Sequence, residues 1–246
     1  MTPLRLTDDT HVLVLTGAGI SAESGIPTFR GANGLWENQP VERVASVEGF
    51  VQDPGLVWRF YSERHAAAKH VEPNSGHRAL AELERRLGDR LLLVTQNIDG
   101  LHQAAGSSRV VELHGSLWKS RCSRCDREPF ADDALHEPTR LPACGRCNAR
   151  GEFALLRPHI VWFGERLAPD DLARIDHFVE RAHRHHFVFL AVGTSGAVAP
   201  ASQLVERTRS LGAETWLVNA EPPLNVASFE HVILGASGAV LPTLLG

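Results

Sequence analysis

The chain has 246 residues, which at about 150 residues per domain predicts one large domain or one domain with an insertion. Its 43% apolar and 22% charged residues are typical of a globular protein. The 25 basic and 29 acidic residues give a net charge of −4, which excludes a strongly basic nucleic-acid-binding protein and an acidic solvating tail as the whole chain.

The N-terminal residues MTPLRLTDDT are polar and do not show the charged and then apolar pattern of a secretory signal. No apolar stretch approaches the roughly 20 residues that cross a bilayer. The C-terminal LPTLLG contains no lipidation motif. We therefore expect a cytoplasmic protein without a membrane partner, and we expect it to be a monomer.

Six short apolar runs predict the buried strands of a sheet. Each has about the length of a buried strand and lacks period-two alternation. Helical patterns such as Gly76 to Leu87 and Pro169 to Ala182 lie between several of them. This alternation predicts an α/β fold with a Rossmann-like, mostly parallel sheet and helices on both faces. The runs are Val12 to Leu15, Leu91 to Thr95, Val110 to Leu113, Phe187 to Val192, Thr215 to Val218 and Val232 to Leu234.

A glycine-rich loop follows the first predicted strand and precedes a predicted helix. The sequence GAGISA at residues 17–22 fits the pattern G-x-G-x-x-G/A, which lets backbone N–H groups approach a pyrophosphate. A plain turn is the alternative. A dehydrogenase would continue with a second strand ending in Asp or Glu about 20 residues on, but that position falls near Glu37 and follows no strand. The loop therefore predicts binding of dinucleotide phosphates and disfavours hydride transfer.

The four cysteines form two pairs, Cys122-x2-Cys125 and Cys144-x2-Cys147, separated by 18 residues. This spacing is typical of a tetrahedral zinc site, and two redox pairs or disulfides are the alternative. Because a four-cysteine site leaves no coordination position open for water, we assign one zinc ion to folding and not to catalysis.

Two stretches interrupt the alternation of strands and helices. Glu37 to Pro73 is helical and irregular without a strand signal, and Cys122 to Cys147 is too polar to build its own core. We expect both to join in a small domain made of a helical insert and a four-cysteine zinc module. Its predicted parts are residues 38–73 and 119–150, and those of the Rossmann-like domain are residues 1–37, 74–118 and 151–246.

Polar residues follow several of the predicted strands. Ligands of open α/β sheets bind at the carboxyl ends of the strands, so polar residues from several strands predict a binding site there. The segments are TQNID at residues 95–99, HGS at 114–116, GTS at 193–195 and VNAE at 218–221.

With these motifs in place, the sequence resembles the sirtuin family, the NAD-dependent protein lysine deacylases. The similarity covers nearly the whole chain and includes, in family order, GAGISAESGIPTFRGANGLW, TQNIDGLH, ELHGS, the two cysteine pairs, RPHIVWFGE, VGTS and VN. The resemblance implies that NAD is consumed as a co-substrate. The acyl oxygen of a modified lysine attacks the ribose carbon that bears nicotinamide, and the products are nicotinamide, O-acyl-ADP-ribose and free lysine. The implied partners are acylated lysine proteins or peptides.

The resemblance also assigns roles to residues. His114 matches the general base that deprotonates a ribose hydroxyl, which suits an imidazole with a pKa of about 6.5; a surface histidine is the alternative. Asn97 and Asp99 match the nicotinamide pocket, and Phe29 and Arg30 match a mobile loop over the reacting ribose. The residues matched to NAD binding are Gly17, Ala18, Gly19, Ile20, Ala22, Thr28, Phe29, Arg30, Trp36, Gln96, Asn97, Ile98, Asp99, Gly193, Thr194, Ser195, Asn219, Ala220, Glu221 and Ser237.

Tyr61 and Arg64 indicate which acyl group the protein removes. On a helix these positions share a face, so a phenol and a guanidinium can jointly hold a carboxylate; an ordinary amphipathic helix is the alternative. The Tyr-x-x-Arg pattern resembles the sirtuin branch that removes succinyl, malonyl or glutaryl groups, and Ala45 matches a small residue that widens the acyl pocket there.

A further segment resembles the part of sirtuins that pairs with the substrate peptide through main-chain hydrogen bonds. For its two aromatic side chains, core packing is the alternative. The segment comprises Val161, Trp162, Phe163, Gly164 and Glu165.

Other functions stay open at this point: a predominant deacetylase, a protein mono-ADP-ribosyltransferase using the same pocket, or a zinc-ribbon sensor of NAD without turnover. A hydrogen bond involving a charged group contributes about 1.5–3 kcal/mol, or roughly 10- to 150-fold in specificity, so we expect a preference for succinyl groups together with deacetylation. His183, His185 and His186 form a polar helix end or, alternatively, a metal site. Five acidic residues offset the arginines of the cysteine insert, so we expect no nucleic-acid partner.

Overall fold

The structure is a computed structural model that describes residues 3–28, 35–36 and 39–246, with only the backbone described at 35–36. Its strands are β1 (Thr10–Thr16), β2 (Leu35–Trp36), β3 (Gln39–Pro40), β4 (Leu91–Thr95), β5 (Val110–Glu112), β6 (Gly115–Cys122), β7 (Phe130–Ala131), β8 (Leu156–Ile160), β9 (His186–Val192), β10 (Glu214–Asn219) and β11 (His231–Leu234). Its α-helices are α1 (Val41–Val44), α2 (Val47–Gln52), α3 (Pro54–Ala68), α4 (Ser75–Leu87), α5 (Leu101–Ala104), α6 (Gly145–Asn148), α7 (Pro169–Ala182), α8 (Leu204–Ser210) and α9 (Ser237–Leu245). Short 3-10 helices cover Ala18–Ser24, Gly88–Arg90, Ala201–Gln203 and Val226–Ser228.

The main sheet contains six parallel strands in the order β11-β10-β9-β1-β4-β5. All residues of the central strand β1 are buried, because alternate side chains enter two different cores. Leu13 and Leu15 pack on the face covered by α7 and α8, and Val12 and Val14 pack on the face covered by α4 and α9. The predicted Rossmann-like sheet with helices on both faces is confirmed.

The position of the binding crevice follows from the connections of β1 and β9. The chain returns from β1 to β4 through α4 on one face, and from β9 to β10 through α8 on the other face. Neighbouring strands whose connections leave on opposite faces open a crevice at their carboxyl ends. The glycine-rich loop after β1 and the predicted polar segments after β4, β5, β9 and β10 therefore lie at one edge of the sheet.

A third core lies outside the main sheet. It joins apolar residues of α1 to α3, such as Val44 and Trp58, to the buried cysteines Cys144 and Cys147 and to Trp162. The cysteine module therefore shares a core with the helical insert, and the predicted division into two domains stays a prediction. Beside this core, β6 pairs antiparallel with β7 and with β8.

Three local expectations need correction. The stretch from Glu37 to Pro73 does contain a strand, because Gln39–Pro40 pairs antiparallel with Leu35–Trp36; two residues are too few to give a sequence pattern. The glycine loop opens a 3-10 helix at Ala18–Ser24. The sheet of β6 to β8 was not predicted, since half-buried residues of mixed polarity replace the apolar runs there.

In the described part of the chain, no helix combines the length and apolarity needed to span a membrane.

Candidate active site

The glycine loop after β1 packs directly against the turn after β9. Gly19 N–H donates to the Gly193 carbonyl oxygen at 2.8 Å, and Gly193 has a φ of +62°. A Cβ added at Gly17 would lie 2.8 Å from the Gly193 oxygen, and one added at Gly19 would lie 2.7 Å from its Cα. Only glycine allows this backbone contact without displacement. Glycine at these two positions therefore allows the loop to lie against the turn after β9, at the carboxyl ends of β1 and β9 where open α/β sheets bind ligands.

Asn97 and Asp99 lie after β4, next to this loop. The Asn97 side-chain amide donates to the Gly17 carbonyl oxygen and to Ser21 Oγ, both at 3.1 Å. Ser21 Oγ donates to Asp99 Oδ2 at 2.7 Å, and Leu101 N–H donates to Asp99 Oδ1 at 2.9 Å. Burial raises the pKa of the Asp99 carboxyl group, and these hydrogen bonds oppose the rise. The structure thus brings together the two residues that were predicted to line the nicotinamide pocket.

His77 supports this cluster from behind. Its Nδ1 accepts a hydrogen bond from the Asn74 backbone N–H at 3.3 Å, so the proton is on Nε2, which lies 3.5 Å from Ser21 Oγ. The Asn74 contact is one half of the capping box of α4, and the other half is the His77 backbone N–H, which donates to Asn74 Oδ1 at 3.3 Å. His77 and Ser21 were not predicted as site residues, because they lie 56 positions apart in the chain and no local pattern relates them.

A second buried histidine supports Asn97 through two threonines. Thr16 Oγ1 donates to Thr95 Oγ1 at 2.9 Å, so His102 Nε2, also 2.9 Å from Thr16 Oγ1, is the donor in that contact. Thr95 Oγ1 also accepts the backbone N–H of Asn97 at 3.1 Å. His102 belongs to the TQNIDGLH motif, which was a signal for its importance, but the motif did not indicate its partner.

His114 lies half-buried after β5. Its Nδ1 is 3.2 Å from the Gln96 carbonyl oxygen, which can only accept, so Nδ1 carries the proton and Nε2 is a proton acceptor in the neutral ring. Burial lowers the pKa of His114 below its usual 6.5, although the hydrogen bond to Gln96 opposes this. The following Gly115 has a φ of +83°, and a Cβ there would lie 2.0 Å from the His159 oxygen. Gly115 thus allows the turn that directs the chain from His114 into β6.

Further predicted NAD-binding residues lie along the same edge. Gln96 Nε2 donates to Thr194 Oγ1 at 3.3 Å, and Asn219 Nδ2 donates to the Thr194 carbonyl oxygen at 2.9 Å. Ser237 Oγ and the backbone N–H of Gly238 both donate to Glu23, which ties the first residues of α9 to the helix of the glycine loop. Glu23 was not predicted. Four of the predicted residues are exposed: Ala22, Ser195, Ala220 and Glu221. Three are half-buried: Ala18, Thr28 and Ile98. The Ile20 side chain is fully buried in the core of the main sheet.

Three predicted residues are not described at the side-chain level. Phe29 and Arg30 lie outside the described residues, and Trp36 is described only as part of β2. Their assigned roles stay predictions from the sequence.

The candidate acyl-binding residues lie on and near α3. Tyr61 is buried, and its phenol oxygen accepts the indole N–H of Trp162 at 3.1 Å. The Arg64 guanidinium lies 3.2 Å from the Phe60 ring centroid and donates to the Phe60 carbonyl oxygen. Ala45 is buried at the end of α1. Tyr61 and Arg64 lie three positions apart on α3, and their joint role in acyl binding stays a prediction.

The candidate peptide-binding segment is extended only in part. Phe163 forms a single parallel bridge with Ser46, donates its N–H to the Ala45 oxygen at 3.0 Å, and is 54% exposed. The Val161 N–H donates to the His114 carbonyl oxygen at 2.9 Å, and Gly164 has a φ of +85°. The Trp162 side chain is buried in the third core, which favours core packing for that ring. The exposed Phe163 ring is left at the surface.

The four cysteines fit a zinc ion. Their sulfur atoms all lie within 4.8 Å of one another, and the closer pairs, Cys122 with Cys147 and Cys125 with Cys144, are 3.7 and 3.9 Å apart. A tetrahedral site with Zn–S bonds of about 2.3 Å places its sulfurs about 3.8 Å apart. None of the four forms a disulfide. Among the described residues, these cysteines are the group that meets metal-ligand distances, whereas His185 contacts Asp9 at 2.6 Å.

Comparisons with known proteins agree with this site. The profile of the Sir2 family matches residues 17–200. The NAD-dependent protein deacylase 2 of Pyrobaculum aerophilum is 45% identical over 240 residues, which cover 98% of this chain and 92% of that protein. A solved complex of a Sir2 homologue with NAD is 39% identical, with a TM-score of 0.84 and coverage of 95% of this chain and 87% of that one. A solved Sir2 complex with the inhibitor EX-527, 2′-O-acetyl-ADP-ribose and a deacetylated p53 peptide is 30% identical, with a TM-score of 0.76 and coverage of 94% and 91%.

Proposed function

Because the chain belongs to the Sir2 family, we propose that it is an NAD-dependent protein-lysine deacylase with a preference for succinyl, malonyl and glutaryl groups. NAD-dependent protein deacylation is the activity named for relatives that match nearly the full chain. The observation that carries the proposal is the convergence of the glycine loop, Asn97, Asp99 and His114 on one edge of the sheet. NAD is the co-substrate, and the four cysteines hold one structural zinc ion.

His114 is the proposed general base. The hydrogen bond from Nδ1 to the Gln96 oxygen leaves Nε2 as the basic nitrogen, and the lowered pKa keeps the ring neutral at pH 7. A neutral imidazole can accept the proton of a ribose hydroxyl, which then attacks the acyl carbon. The same Gln96 contacts Thr194, so the base and a proposed ribose or phosphate contact are fixed to one residue.

Asn97 and Asp99 are the proposed nicotinamide-binding residues. Their side chains share Ser21 Oγ as a hydrogen-bond partner, which restricts both of them before any ligand arrives. Because the Asn97 side-chain nitrogen already donates to Gly17 and Ser21, the Asn97 amide oxygen and the Asp99 carboxylate remain as fixed acceptors, which suit the NH2 group of a carboxamide. Release of nicotinamide from NAD is the step that this pair would support.

The acyl preference rests on Tyr61, Arg64 and Ala45. Helix α3 presents a phenol and a guanidinium at i and i+3, and burial raises the pKa of Tyr61, so the phenol stays protonated and able to donate. A protonated phenol and a guanidinium together offer donors to a terminal carboxylate, which an acetyl group lacks. Acetyl groups can still enter the pocket, so deacetylation is expected as a slower activity.

One peptide sequence carrying acetyl, succinyl, malonyl or glutaryl lysine tests this proposal. Incubation with NAD followed by mass spectrometry should show free lysine, nicotinamide and the matching O-acyl-ADP-ribose. Reactions without NAD and with His114→Ala are the controls. ADP-ribose attached to protein without O-acyl-ADP-ribose would point to a mono-ADP-ribosyltransferase, and NAD binding without release of nicotinamide would point to a sensor. Faster removal of the acetyl group than of every acidic acyl group would identify the protein as predominantly a deacetylase.

A further inference from the structure

Trp162 connects the candidate peptide-binding segment to the candidate acyl pocket. Its indole N–H donates to the Tyr61 phenol oxygen at 3.1 Å across 101 residues of sequence. Both side chains are only 2% exposed, so the bond does not compete with bulk water. Trp162 was predicted to contact the substrate peptide, but its ring points into the third core.

Several contacts fix the indole ring in place. The Arg157 guanidinium lies 3.3 Å from the ring centroid, and Phe50 packs against the ring at a centroid distance of 5.4 Å. Arg157 is held by both carboxylate oxygens of Glu165, at 2.7 and 2.8 Å, and Glu165 also accepts the Trp162 backbone N–H at 2.9 Å. These contacts fix the orientation of the ring, so the indole N–H is directed at the Tyr61 oxygen.

The direction of this bond determines how the phenol can act. An indole nitrogen only donates, so the Tyr61 oxygen must accept in this contact, and the phenol proton points away from Trp162. Without this donor, the hydroxyl could turn about its C–O bond between the two orientations that place its proton in the ring plane. A proton held in one direction loses less entropy when it bonds a ligand.

We propose that Trp162 is a specificity-determining positioning residue, which orients the Tyr61 hydroxyl so that its proton is directed to the carboxylate of a succinyl, malonyl or glutaryl group. The inference rests on the proposed acidic-acyl preference and deepens it. Trp162 acts through Tyr61 and does not itself touch the acyl carboxylate. The Glu165 and Arg157 pair belongs to the same device, because it holds the indole in place.

The test compares kcat/KM for succinyl and acetyl versions of one peptide. Trp162→Phe should lower the succinyl-to-acetyl ratio about 5- to 10-fold, since part of a hydrogen bond to a charged group is lost. Tyr61→Phe should lower the ratio at least as much, and the double variant should lower it no further than Tyr61→Phe alone. Trp58→Phe is the matched control: it removes an indole bond to the Leu156 oxygen in the same core and should leave the ratio unchanged.

A second variant separates the bond from packing. Benzothienylalanine at position 162 keeps the size and stacking of the ring and replaces only the N–H by sulfur, so folding should be preserved while the ratio falls as in Trp162→Phe. If both changes leave the ratio at the wild-type value while Tyr61→Phe lowers it, Trp162 has no positioning role and the acidic-acyl proposal stands. If the wild type has no acidic preference, the acidic-acyl proposal fails and this inference fails with it. If the wild type prefers succinyl but Tyr61→Phe leaves the ratio unchanged, the preference does not depend on the Tyr61 hydroxyl, and only this inference fails.

Discussion

At the scale of single residues, one hydrogen bond decides what His114 can do. The Gln96 carbonyl oxygen selects the tautomer with the proton on Nδ1, and burial disfavours the charged ring. Histidine at this position was predictable from the ELHGS motif. The tautomer was not, because it depends on a backbone oxygen 18 residues away.

The lowered pKa of His114 predicts the acidic side of the pH profile. The neutral base persists as the pH falls below 6.5, and kcat/KM should drop only when the pH passes the lowered pKa. His114→Ala should lose at least about 100-fold in kcat/KM at every pH. The exposed His70→Ala serves as the control and should keep the wild-type profile. An acidic limb centred well above pH 6.5 in the wild type would contradict the assignment.

His77 and His102 predict how stability depends on pH. Burial lowers their pKa values to about 4 and about 3, whereas an unfolded histidine titrates near 6.5. Well above pH 6.5 both histidines are neutral in the folded and in the unfolded state, so they do not change the free energy of unfolding with pH. As the pH falls from 6.5 towards 4, only the unfolded state gains protons, so each histidine should cost about 1.4 kcal/mol of unfolding free energy per pH unit.

Urea unfolding between pH 7 and pH 5 measures this effect. His77→Gln or His102→Gln should each reduce the slope of unfolding free energy against pH, while His70→Gln should not. A slope that is the same in all four proteins would show that other groups cause the loss of stability.

At the scale of elements, the apolar runs predicted all six strands of the main sheet. Buried parallel strands such as β1 and β4 are apolar on both faces, whereas the edge strand β11 is apolar in sequence but partly exposed. The antiparallel strands β6 and β8 were not predicted. Strand β6 contains Lys119 and Arg121 and is only partly buried, and β8 has Arg157 and Pro158 in place of an apolar run. The contact between Trp162 and Tyr61 joins two elements that no local spacing relates.

The contact between the glycine loop and the turn after β9 gives a prediction at this scale. In Gly19→Ala the new Cβ would lie 2.7 Å from the Gly193 Cα, so one backbone segment must move. We expect about 10-fold weaker NAD binding, measured by calorimetry, together with a loss of about 1–3 kcal/mol in stability. Gly145→Ala is the control, because nothing lies within 4 Å of its added Cβ. Unchanged NAD affinity in Gly19→Ala would mean that the loop does not hold the dinucleotide.

At the scale of the whole molecule, the third core joins the cysteine module to α3, which carries Tyr61 and Arg64. The cysteine spacing was sufficient to predict the cluster, since four thiolates in two short pairs suit one ion. It was not sufficient to predict that the module also packs against α3, the helix of the proposed acyl pocket. Monomeric state and cytoplasmic location stay predictions from the sequence.

Removal of zinc should therefore affect more than the module itself. Treatment with a strong chelator, or Cys144→Ser, should lower the unfolding temperature by about 10 °C or more and abolish deacylation, and added zinc should restore the chelated wild type. The exposed Ser123→Ala, in the same module, is the control and should behave as the wild type. Full activity after complete zinc removal would show that the module does not support α3.

The central claim is that the protein uses NAD to remove acidic acyl groups selected by Arg64 and Tyr61. The most direct measurement is the ratio of kcat/KM for succinyl and acetyl forms of one peptide, in the wild type, in Arg64→Met and in Arg59→Met, an exposed arginine of the same helix. We predict a wild-type ratio above one, a fall of roughly 10- to 150-fold in Arg64→Met, and no change in Arg59→Met. Equal losses of both activities in Arg64→Met would contradict the claim.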